Sequence, residues 1–108
     1  MKRFATLTKL KPGAKEQYKK IHDEIWDEII AANDESNFHN FSIYIIDDYM
    51  FSYFEYTGSD YDADIKKKLS LPAIAKWRDF TGQYTDFVKD GIKTIPLEEL
   101  WHNDFIKK

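Results

Sequence analysis

The sequence predicts an α+β domain in which an antiparallel sheet carries its helices on one face. Three observations predict it. Stretches of period-two alternation and stretches with apolar residues three and four apart follow one another in the order β-α-β-β-α-β. The two middle strands are separated only by Asp47 and Asp48, a connection short enough for an antiparallel hairpin. At 108 residues, with 43% hydrophobic and 32% charged residues, the chain has the size and make-up of a single soluble domain spanning 1–108.

Residues 3–10, RFATLTKL, alternate Phe4, Thr6 and Thr8 with Ala5 and Leu7 and read as the first strand. Lys11-Pro12-Gly13 breaks it. Residues 14–32 read as one helix, because Ala14, Tyr18, Ile21, Ile25, Ile29 and Ala32 recur at helical spacing before the turn formers NDESN. Residues 38–46, FHNFSIYII, place Phe41, Ile43 and Ile45 on one face and Asn40, Ser42 and Tyr44 on the other. Residues 49–57 form the returning strand of the hairpin. Gly58-Ser59-Asp60 opens a short helix over 60–69, with Lys66-Lys67-Lys68 expected on its wet side. Pro72 suits the first turn of a further helix, since its missing amide hydrogen is unneeded there. Ile74, Trp77, Phe80, Tyr84 and Phe87 or Val88 continue that helix, and Gly91 is expected to cap it. Residues 97–103, LEELWHN, read as the last strand. This order is the ferredoxin-like split βαβ arrangement.

Helices on one face leave the other sheet face bare. Eight Phe, seven Tyr and three Trp, 17% of the chain, exceed what so small a core needs. Some of these rings therefore belong to a pocket or an interface, and a second copy packed on the bare face would cover it. A homodimer is the expected state.

Composition excludes several functions. A net charge of −3 with no basic patch gives no footprint for nucleic acid. No segment reaches the ~18 apolar residues of a membrane span, and the first residues, MKRFATL, do not read as a signal peptide. The absence of cysteine removes disulfides, thiolate nucleophiles and Cys-based metal sites. The expected location is the cytoplasm. His39 and His102 form no i, i+4 pair with another histidine, so no metal site is expected. There is no nucleophile elbow and no phosphate-cradling glycine loop. The adjacent pairs Glu98-Glu99 and Asp47-Asp48 read as solvated.

One histidine is placed for chemistry. Tyr18, His22 and Trp26 stand at i, i+4 and i+8 along the edge of the stripe Ile21, Ile25 and Ile29. A histidine at that border is near its neutral form at pH 7, with one donor and one acceptor nitrogen, as general acid–base work requires. Spacing alone equally allows a structural histidine bonded to a backbone carbonyl, and that is the commoner case. On the second helix Trp77 belongs to a stripe that more often makes core, with the cation Arg78 at its edge. A ring beside polar donors suits a sugar.

These residues, taken together, resemble the L-rhamnose mutarotase family, small enzymes that interconvert sugar anomers. The matching stretches are KRFA, EQYKKIHDEIWDEI, HNFSIY, KWRDF and LEELWHND, spread over nearly the whole chain. The resemblance implies a dimeric α+β barrel, two ferredoxin-like sheets face to face, with a cofactor-free site in each subunit and a monosaccharide substrate. By position it makes His22 the proton donor and acceptor, and Tyr18, Phe41, Trp77 and Arg78 the sugar-binding residues. The implied reaction is exchange of the α and β anomers of L-rhamnose or a related 6-deoxy aldose. Two positions depart from the family: Phe41 stands where a tyrosine is usual, and Arg78 where a second tryptophan is usual. The first removes a hydroxyl, and the second exchanges an apolar ring for a charged fork. The aromatic richness also fits a small oxygenase on the same barrel, and the two departures fit a non-catalytic sugar-binding module.

Overall fold

The computed structural model describes residues 1–103. Its first strand, β1 (Lys2–Leu10), lies at the centre of the sheet. The hairpin β2 (Phe38–Ile46) and β3 (Tyr49–Tyr56) pairs through β3 along one edge of β1. The short strands β4 (Thr85–Asp86) and β5 (Ile95–Leu97) pair with β1 on its other side. All pairings are antiparallel, in the order β2-β3-β1-β4 with β5 also on β1. The ferredoxin-like α+β fold expected from the element order is therefore present.

Register divides the side chains between two faces. Phe4 opposes Phe54 and Thr8 opposes Met50 on the helix side, while Ala5 opposes Tyr53 and Leu7 opposes Phe51 on the other. The hairpin turns through Asp47 at φ 53. Within β2 the pairing slips between His39 and Ser42. Asn40, at φ 56, occupies this bulge. A regular strand would send Phe38 and Phe41, three residues apart, to opposite faces. With one extra residue in the bulge both rings face the helices, Phe41 stacked on Phe54 at 5.2 Å and Phe38 edge-on to it at 5.6 Å.

The long first helix does not form as one piece. It is α1 (Lys15–Asp23) followed by α2 (Asp27–Glu35), with Trp26 extended at φ −68, ψ 141. No glycine or proline marks the break. At the break the indole of Trp26 meets Trp77 edge-on at 5.0 Å and stacks on Phe80 at 5.6 Å, a packing that favours it. Partly burying an indole gains about 25 cal/mol for each Å² of apolar surface taken from water. A helical hydrogen bond contributes only about 0.5–1.5 kcal/mol. Some are recovered, from Ile25 N to His22 O at 3.2 Å and from Ile29 N to Trp26 O at 3.0 Å.

The second helical region is α3 (Tyr61–Leu69) and α4 (Pro72–Gly82). Asp60 caps α3 by accepting the Ala63 amide at 3.1 Å, and Pro72 begins α4 as expected. However, α4 stops at Gly82, nine residues short of Gly91. The chain is needed at the sheet, where Thr85 and Asp86 pair with Leu10 and Lys9. Gly91, at φ 73, serves the tight turn that brings Ile92 back to Lys89. The terminal strand is also displaced: Ile95–Leu97 pair with Leu7, Thr6 and Ala5, and residues 98–103 carry no strand. Pro96 lies inside this strand, as an edge strand allows. A bidentate ion pair from Arg3 to Glu99, at 2.9 and 3.0 Å, ties the segment beyond it to β1. Asp104 of the C-terminal motif lies outside the described residues.

The core sits between sheet and helices. Ile29 and Ala32 of α2 and Ile74 of α4 are buried together, with Trp26 and Trp77 packed on them. A polar clamp closes the β3–α3 corner. The hydroxyl of buried Tyr56 donates to Asp64 Oδ2 at 2.5 Å and accepts from the Asp60 amide at 3.0 Å. Burial and the Asp64 carboxylate push the Tyr56 phenol up to about 12.

Two outcomes follow. Ile29→Ala should lower stability by about 2–4 kcal/mol, read from the urea midpoint, because it empties the centre of the cluster. Tyr56 is protonated more tightly in the folded state than at its ordinary value near 10. Its contribution is therefore complete below pH 10 and lost as pH rises toward about 12. An alkaline titration followed by circular dichroism should show that loss, shrunken in Tyr56→Phe.

Candidate functional site

The helices cover the inner sheet face incompletely. Between α1–α2, α4 and the inner side of β2 lies a cleft of about 850 Å³. A second hollow of about 590 Å³ lies between α1 and the far end of the hairpin. The two share His22, Ile25, Phe41 and Ile43 as walls. The gap is why Phe41 and Ile43, though turned inward, remain 47% and 44% exposed.

His22 is held by its own helix. Its Nδ1 lies 2.9 Å from the carbonyl oxygen of Tyr18, one turn earlier. A carbonyl oxygen only accepts, so Nδ1 carries the hydrogen. The neutral ring is then the Nδ1–H tautomer, and Nε2 holds the lone pair. This is the backbone-bonded histidine that spacing alone favoured, and the same bond leaves a defined acceptor nitrogen. Among the described residues Nε2 has no hydrogen-bonding partner. The Tyr18 ring leans on the imidazole at 4.4 Å, and Trp77 meets it edge-on at 5.4 Å. Burial pushes the Tyr18 phenol above its ordinary value, so its hydroxyl, already protonated at neutral pH, stays so over a wider range.

The five site residues expected from the sequence converge on this space. His22, Phe41, Trp77 and Arg78 line the larger cleft, and Tyr18, His22 and Phe41 line the smaller one. Trp26 lines neither; it packs among Trp77 and Phe80.

The sequence reading missed Lys68. The basic run was expected in solvent, and Lys66 and Lys67 are exposed. Lys68 instead turns into the larger cleft, its Nζ 4.7 Å from the Phe38 ring centre and 5.3 Å from that of Phe41. The bulge in β2 makes this possible by setting both rings on one face. Burial first, and then the nearby Arg78 charge, lower its pKa to about 8. The signal was available in the spacing: Tyr61, Asp64, Ile65 and Lys68 fall at i, i+3, i+4 and i+7, the inward stripe of α3.

Comparison with known proteins bears on this arrangement. A family model described as L-rhamnose mutarotase matches residues 3–103. An L-rhamnose mutarotase of Phocaeicola vulgatus is 31% identical, over 96% of this chain and 100% of that one. The crystal structure of an L-rhamnose mutarotase from Formosa agariphila superposes with a TM-score of 0.78 at 25% identity, over 96% of this chain and 100% of that one. Tetracenomycin F2 cyclase from Streptomyces glaucescens, a type-II polyketide cyclase, superposes with a TM-score of 0.65 at 14% identity, covering 95% and 99%. That last likeness shows the fold alone.

Proposed function

The chain belongs to the L-rhamnose mutarotase family, and we propose that it exchanges the α and β anomers of L-rhamnose or a related 6-deoxy aldose with His22 as its acid–base residue. The observation that carries this reading is the bond from His22 Nδ1–H to the Tyr18 carbonyl. It leaves Nε2 with its lone pair on a ring that borders both hollows.

Mutarotation asks for little else. The anomeric hydroxyl gives up its proton, the ring oxygen gains one, and the C1–O5 bond breaks to the open aldehyde. Rotation about C1–C2 presents the opposite aldehyde face, and closure reverses both transfers. In this reading His22 Nε2 takes and returns the proton at the sugar oxygens. The phenol of Tyr18, protonated at neutral pH, donates to the sugar. Trp77 offers its ring to the pyranose C–H face. Phe41 contributes apolar wall without a hydroxyl, and Arg78 stands at the rim with its guanidinium.

The second part of the reading is a homodimer in the cytoplasm. The homodimer is supported by the outer sheet face, where Tyr44 is 68% and Ile46 64% exposed beside Tyr49 and Phe51. Packing two such faces together gives the dimeric α+β barrel and removes the rings from water.

Two measurements check these proposals. His22→Ala should slow L-rhamnose anomer exchange, followed by NMR saturation transfer, about 10²–10⁴-fold while sedimentation still reports the wild-type mass. A fully active variant would sink the assignment. Phe51→Glu places a charge in the outer face and should shift the protein to monomer by analytical ultracentrifugation; an unchanged dimer would move the interface elsewhere.

A further inference from the structure

Building on the mutarotase reading, we propose that the cleft also takes aldoses that carry an anionic group, held by Lys68 and Arg78. Both cations line the cleft that His22 borders. The Lys68 ammonium is fixed above Phe38 and Phe41, rings that offer it their π-faces but no counter-charge. Among the described residues neither Lys68 nor Arg78 forms an ion pair, whereas Arg3 pairs with Glu99 and Lys19 with Asp23. Asp27 and Asp34 also border the cleft, but the ion-pair contact of Asp34 is with His39, at 3.8 Å.

A half-buried Lys68 ammonium with an exposed Arg78 guanidinium beside it at the rim, and no carboxylate pairing either, makes an arrangement that an anion relieves. Burial first, and then Arg78, make the Lys68 ammonium harder to keep charged, and a bound anion would act in the opposite direction. The donor set is also suited to an anion: a guanidinium fork matches a carboxylate or phosphate edge, and an ammonium adds a point charge. A neutral sugar would leave the half-buried Lys68 ammonium without a counter-charge. Phe41 fits the same picture, because its bare ring seats the ammonium where a phenol would offer a hydroxyl to sugar.

The test uses a matched set differing at C6: D-galactose, D-galacturonate and D-galactose 6-phosphate, with L-rhamnose alongside. Anomer exchange is read by NMR as acceleration over the spontaneous rate, and binding by calorimetry. The wild-type protein should accelerate at least one of the two anions tenfold more per unit concentration than galactose. The carboxylate and phosphate arms tell which anion the pair prefers. Lys68→Met and Arg78→Gln should each cut the anion-to-galactose ratio about tenfold. Equal rates for galactose and both anions, or a ratio that survives both substitutions, would overturn the proposal while L-rhamnose exchange kept the mutarotase reading intact. Should no sugar be exchanged, selective anion binding lost in Lys68→Met would uphold the anion site against a failed catalytic reading. Binding without such selectivity would end both.

Discussion

What this site can do depends on one hydrogen bond, from the imidazole of His22 to the carbonyl of Tyr18. A free histidine on a helix edge can rotate, and either nitrogen can carry its proton. The bond removes both freedoms. It selects the tautomer, sets the ring plane against Tyr18 and Trp77, and leaves one nitrogen with a lone pair. The bond in turn requires that residues 18 and 22 stand one helical turn apart. That register is held by α1, whose one buried residue is Ile21. The structural bond and the proposed chemical role of this histidine are thus not rivals, since the bond sets the tautomer that the role requires.

Much of the fold was legible because pattern and turn chemistry agreed. The hairpin, the Asp60 cap and the Pro72 start all lie where local rules place them. The misreadings share a cause, which is that tertiary packing outweighed local periodicity. The helical pattern runs straight through Glu24 and Ile25, yet the ring partners of Trp26, Trp77 and Phe80, lie on α4, far along the chain. The stripe of α4 runs on past Gly82, yet β1 still needed a neighbour at Lys9 and Leu10. The site was legible in the same uneven way. Residue type and resemblance picked out His22, Tyr18, Phe41, Trp77 and Arg78 before any coordinate. Lys68 escaped because a run of three lysines reads as solvent, and only helical phase separates the third from the other two.

Neither face of the sheet is fully closed, and the two openings differ in character. On the inner face the gap is concave and mixed, with imidazole, phenol, cationic and carboxylate side chains among apolar walls. On the outer face the surface is broad and dominated by rings and aliphatic side chains. A bulge of one residue in β2 belongs to the first opening alone: it gathers Phe38 and Phe41 beneath Lys68 without disturbing Tyr44 or Ile46 opposite.

The break between α1 and α2 carries a thermodynamic consequence. At nine residues, α1 is shorter than the ~12–15 that an isolated helix needs even to be marginal in water. Its order is therefore borrowed from docking, and the non-helical link at Glu24 to Trp26 lets it be lost without unwinding α2. If a sugar binds against Tyr18 and His22 as proposed, it adds to that docking, and occupancy and helix order become linked equilibria. The same short segment that presents the imidazole would then report, through the protection of its amides from hydrogen exchange, how full the cleft is.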